Sequence, residues 1–96
     1  MSINPLYSHQ HLVAIQHLRF TASEVLSTER ERVQRLASLL TASTLESIRP
    51  TLVRLRVRTD EEETEIVGRI MATGDERIML DGGSTVPIHC IVSIHF

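Results

Sequence analysis

Apolar and polar residues alternate along most of the second half of the chain, the period of a strand with one buried face. Residues 51–59 (TLVRLRVRT) put Val53, Leu55 and Val57 on one side and Arg54, Arg56 and Arg58 on the other. Residues 64–73 (TEIVGRIMAT) set Ile66, Gly68, Ile70 and Ala72 against Glu65, Val67, Arg69 and Met71. Residues 77–80 (RIML) bury Ile78 and Leu80, and residues 85–96 (TVPIHCIVSIHF) group Val86, Ile88 and Cys90. The breaks are an acidic run at 60–63, a Thr-Gly-Asp-Glu turn, and Asp81-Gly82-Gly83-Ser84, whose glycines supply positive φ. Three positions predict departures from a flat sheet. Gly68 marks a bend or a close backbone approach, and Pro87 forces an edge or a bulge. A one-residue slip near Cys90–Ile91 returns Ile91 or Val92, Ile94 and Phe96 to the core.

The first half follows a different period. Val25 or Leu26, Glu29, Val33, Leu36 and Leu40 recur at helical spacing, with Ala37 and Leu39 widening the stripe. Two capping boxes compete for the start, Thr21 with Glu24 and Thr28 with Glu31. The Glu29–Arg32 and Glu31–Arg35 spacings support the later one, so the prediction is a strong helix over 28–42. Residues 9–20 are read as a further helix, although Leu18 and Phe20 also fit a strand. Ser43 with Glu46 caps at most one more turn, because Pro50 turns Arg49 away from helical angles. The expected fold class is therefore α+β. It is one domain over 1–96, helical over 1–48 and five-stranded antiparallel over 49–96, with the sheet rolled into a small β-barrel.

Composition narrows the setting. Apolar residues make up 42% of the chain and charged ones 23%, which suits a packed core rather than disorder. Net charge is −2, so no global cationic field draws the chain to nucleic acid or anionic lipid. All ten basic residues are Arg. A single cysteine, no basic-then-apolar leader and no apolar run of membrane-spanning length predict a soluble, cytoplasmic protein.

Candidate chemistry is sparse. Arg54, Arg56 and Arg58 on one strand face have the reach for phosphates. Against that, Glu65 and the acids at 60–63 sit beside them, and Tyr7, Phe20 and Phe96 are the only aromatics available for base stacking. With Arg69 and His89 these three form the set of candidate partner or nucleic-acid contacts. His9, His11 and His17 lack metal-site spacing. Cys90 reads as a buried structural thiol, since a Cys–His nucleophile needs its base within hydrogen-bond reach. The 81–84 turn opens no helix and is no phosphate loop. No catalytic, metal-binding or cofactor-binding residues are predicted, and the expected activity is non-enzymatic.

A helix followed by five short strands, with a bend-forming glycine in the second, resembles the Sm-like and SH3-like small barrels. The frame V-R-L-R-V (53–57), I-V-G-R-I (66–70), D-E-R-I-M-L (75–80) and V-P-I-H-C-I-V-S-I (86–94) resembles the YolD-like family of small bacterial proteins over residues 28–96. That resemblance implies an accessory role beside translesion DNA polymerases, through a protein partner or self-association as an oligomer. The Trp-Pro-Phe-like element expected near the start is replaced by Asn4-Pro5-Leu6, and the chain has no Trp. The chain also resembles the bacterial Sm-like RNA chaperone, whose Lys-His pair is matched at Ile88-His89-Cys90-Ile91 by the His alone. This second likeness implies RNA or DNA binding on the Arg54/Arg56/Arg58 face.

Overall fold

The computed structural model describes Ile15 and residues 18–96. Helix α1 spans Glu29–Ile48 and starts at the later of the two boxes. Thr28 is extended, its hydroxyl accepts the Glu31 backbone N–H (3.1 Å), and the Glu31 carboxylate accepts the Thr28 N–H (3.2 Å). Two of the helix's orphan donors are thereby satisfied. The helix runs six residues past the predicted end at Ala42. Ser43 does not cap a new turn. Its hydroxyl donates to the Leu39 carbonyl (2.9 Å) inside the continuing helix. The stop falls where Pro50 requires it, with Arg49 extended.

The face that α1 buries differs from the predicted stripe. Leu39, Ala42 and Arg35 face inward, while Val33 (60% exposed), Leu36 and Leu40 face solvent. Both sets have helical spacing, so periodicity alone does not choose between them. Small side chains on the buried face let the helix approach the sheet. There Ser43 shares a hydrogen bond with Thr73, and Arg35 finds acceptors that an apolar residue would leave unpaired.

The sheet has order β4-β3-β2-β1-β5, every neighbour antiparallel, with β1 at Leu52–Arg58, β2 at Glu63–Thr73, β3 at Arg77–Leu80, β4 at Thr85–Pro87 and β5 at Ile91–His95. The alternation holds in β1 and β3, where Val53, Leu55, Val57, Ile78 and Leu80 are buried. In β2 Val67 is buried as well as Ile66, so that strand is covered on both faces. Residues 63–69 of β2 pair with β1 and residues 70–73 with β3, and the register shifts between Ile70 and Ala72. Gly68 marks a close approach: a Cβ there would stand 3.2 Å from Asp81 Oδ1. Asp81 accepts the Arg69 N–H at 3.0 Å, tying the β3–β4 turn to β2.

The last predicted strand is two strands. After Pro87 the chain makes a 3-10 turn at Ile88–Cys90 and re-enters the sheet on the far side of β1. The predicted slip appears as this turn and as a register shift opposite Arg56–Val57. Phe96, expected in the core, is 57% exposed. Residues 18–20 are not helical, since Phe20 bridges to Thr59 and Thr21 donates to the Arg58 carbonyl (3.2 Å). Residues 9–14, 16 and 17 of that predicted helix lie outside the described residues. One apolar cluster joins Ile15, Leu39 and Ala42 to residues from all five strands. Each fully buried Leu or Ile in it contributes roughly 1.5–3 kcal/mol. Among the described residues the sheet's hydrogen-bonded ladder does not close, and β4 and β5 are its edges.

Candidate functional site

The five candidate contact residues fall in three places. Strand alternation turns Arg54, Arg56 and Arg58 away from the buried Val53, Leu55 and Val57. The β1–β2 register sets Arg56 opposite Glu65 and Arg58 opposite Glu63. Glu63, rather than Glu65, takes the charge: it bonds Arg58 (2.9 Å) and reaches Arg56 diagonally (3.7 Å). Arg54 lies between Val67 and His95 and has no carboxylate partner among the described residues. The stripe thus carries one acid for two of its three guanidinium groups.

Arg69 stands opposite Leu52, on the same side of the sheet as the stripe, but it is turned to another partner. Its guanidinium grips Glu46 of α1, with Nε 3.0 Å from each carboxylate oxygen. Glu46 also accepts the Thr51 N–H (2.8 Å). These bonds to the charged form, Arg69 first, hold the Glu46 carboxyl below its usual range, and Glu46 in turn raises the Arg69 guanidinium. Arg69 therefore fastens the end of α1 to β2. His89 lies in the 3-10 turn. Its ring Nε2 is 2.6 Å from the Thr21 carbonyl, and its own carbonyl accepts the Val25 N–H (3.0 Å). It clamps the segment before α1 against the sheet.

A polar cleft of about 360 Å³ opens beside that clamp, lined by Glu24, Arg35, Asp75–Arg77 and Pro87–His89. At its wall stands an ion pair the sequence reading missed. Arg35 gives Nη1 and Nη2 to the Glu24 carboxylate (2.8 and 2.6 Å) and Nη1 to the Ile91 carbonyl (3.1 Å). Hydrogen bonding to Arg35 outweighs burial and holds the Glu24 carboxyl down at about 2. The signal was present as Arg35, Leu39 and Ala42 at i, i+4 and i+7. Local spacing alone pairs Glu24 with Thr21 as a cap and Arg35 with Glu31.

Cys90 is fully buried and its Sγ donates to the Pro87 carbonyl (3.0 Å). Burial pushes its thiol up to about 11, away from the thiolate a nucleophile requires. The neighbouring His89 ring is engaged with Thr21 instead. Among the described residues no three His, Cys, Asp or Glu side chains gather as a metal would need, and no helix is long and apolar enough to cross a membrane. His9, His11 and His17 lie outside the described residues.

The outer face of α1 presents a row of exposed apolar side chains. Val33, Leu36 and Leu40 stand at i, i+3 and i+7 on a capped helix that two ion pairs hold in place. Comparison with protein-family models, with curated proteins and with solved structures finds no match to this chain.

Proposed function

We propose that the chain is a non-enzymatic, cytoplasmic interaction module that works through protein contacts, with a rolled Sm-like or SH3-like small barrel as its β half. The YolD-like resemblance supplies the setting, an accessory beside a translesion polymerase or another nucleic-acid machine. The observation that carries the reading is the solvent-facing row of Val33, Leu36 and Leu40. Isolated surface leucines are ordinary, but anchors at i, i+3 and i+7 match how a helix is read by a partner's groove. The rolled barrel is supported by β2, which serves two ladders on either side of a register shift. It is also supported by the single cluster that joins core residues of the edge strands β4 and β5.

Direct binding of RNA or DNA through Arg54, Arg56 and Arg58 is the weaker reading, because Glu63 already engages two of the three. The two readings separate experimentally. Capture of proteins from a lysate of the source cell, identified by mass spectrometry, is expected to lose its specific partner in a Val33→Glu/Leu36→Glu/Leu40→Glu variant. An unchanged set of captured proteins would sink the protein-contact reading. A salt-dependent mobility shift that disappears in Arg54→Glu/Arg56→Glu/Arg58→Glu would put the nucleic-acid reading in its place.

A further inference from the structure

The two edges of the sheet are built differently. Edge β4 is three residues long, ends in Pro87, which has no N–H to offer, and passes straight into the 3-10 turn. These are the devices by which proteins blunt an edge against pairing. Edge β5, Ile91–His95, is longer and has no proline, and its one irregularity is the register shift opposite Arg56–Val57. It contains no Lys, Arg, Asp, Glu or Pro, and the β-branched residues Ile91, Val92 and Ile94 favour extended pairing. Arg35 occupies the Ile91 carbonyl at one end, and among the described residues no strand lies beside the rest of the outer edge.

A groove of about 260 Å³ follows this open edge, between β5 (Val92, Ser93, Ile94) and α1 (Glu31, Gln34, Arg35, Ser38), with Leu26 also lining it. Its charged side chains already have partners within the chain, Glu31 in the capping box and the Arg35 Nη atoms in Glu24, with the buried Arg35 Nε left unpaired. A neutral strand therefore fits it better than a charged peptide. Phe96, directly after β5, holds an exposed ring that its own core does not bury.

We propose that β5 pairs antiparallel with β5 of a second copy, an isologous contact that names the self-association surface of the interaction module proposed above. Pairing centred on Ser93 sets Val92 opposite Ile94 and brings no two like charges together. It also places Phe96 of each copy opposite Cys90 of the other. The Val25 N–H bond to the His89 carbonyl holds Leu26 near that end, as an apolar seat for the ring. The blunted β4 disfavours the head-to-tail alternative, in which β5 of one copy would pair with β4 of the next.

Sedimentation velocity on the full chain tests this from about 1 to about 500 µM, the range expected for a contact of modest area. Wild-type protein is expected to pass from monomer to dimer and to stop there, since an isologous contact closes on itself. Ser93→Lys and Phe96→Glu are each expected to raise the midpoint at least about tenfold, with the monomer's thermal melting unchanged. Phe96 lies outside the strand, so its variant keeps the test valid should Ser93→Lys perturb the fold. A wild-type chain that stays monomeric throughout would overturn the inference, as would association that survives both edge variants yet fails in Leu36→Glu/Leu40→Glu. Neither result bears on the captured-partner assay, whose variants lie on the outer face of α1.

Discussion

Arg35 and the arginine stripe of β1 use the same side chain to opposite ends. Arg35 is buried, bonded on two sides, and joins elements far apart in sequence: Glu24 before the helix, α1 itself, and Ile91 at the start of β5. Arg54, Arg56 and Arg58 stand along an exposed or half-exposed face, where a single acid from the adjacent strand engages two of the three. A guanidinium taken out of water must be matched nearly completely, and once matched it fixes geometry. One left in water contributes little to stability and stays available for contact. The sequence marks the stripe by its repetition, whereas the latch is invisible until the fold brings its parts together.

The largest expected effect lies at the latch. Arg35→Ala strands the Glu24 carboxylate and the Ile91 carbonyl, and the loss is expected near 2–3 kcal/mol, below that of a fully buried pair because Glu24 keeps some solvent. Urea unfolding followed by circular dichroism measures it. A loss under about 0.5 kcal/mol would place Arg35 with the surface arginines instead.

Acid exposes the same contrast. The folded Glu24 carboxyl lies below its ordinary value, so its contribution is present at neutral pH and is lost as pH falls from about 4.5 towards about 2. Glu46, lowered by Arg69, adds in the same direction. Wild-type stability should therefore fall across that window, and Glu24→Gln should show a shallower fall. Identical acid profiles would remove the latch from the account.

A smaller change is expected at the start of α1. Thr28→Ala removes the capping hydroxyl at a cost of about 1 kcal/mol, since it leaves the Glu31 N–H unpaired without touching Arg35. Thermal melting of the variant reads this. The smallest effect belongs to the stripe: Arg58→Ala is expected to change stability by less than about 0.5 kcal/mol, and high salt should erase the difference. A larger, salt-resistant loss would mean that the stripe is structural after all.

Much of the β half was legible from residue order. Each of β1 and β3 buries the face that its alternation marks, and residues 60–62 of the acidic run and the double glycine fall between strands as turn chemistry requires, while Glu63 already belongs to β2. Of the proposed contacts, Arg54, Arg56 and Arg58 share the predicted face, while Arg69 and His89 were drawn to other partners. Both have donors that reach a neighbouring element, Glu46 in one case and the Thr21 carbonyl in the other, and neither partner is near in sequence.

What the sequence by itself determined is local. Capping at Thr28, the stop before Pro50, strand alternation and positive φ at Gly82 and Gly83 all depend on neighbours within a few residues. What only the tertiary structure decided is which side of α1 is covered, where the last strand breaks, and which arginines are bound. Two helical stripes of equal period compete, and a local pattern cannot rank them. The choice follows from acceptors at Glu24 and Ile91 and from Ser43 meeting Thr73, contacts spanning 11 to 56 residues that exist only once the sheet has formed.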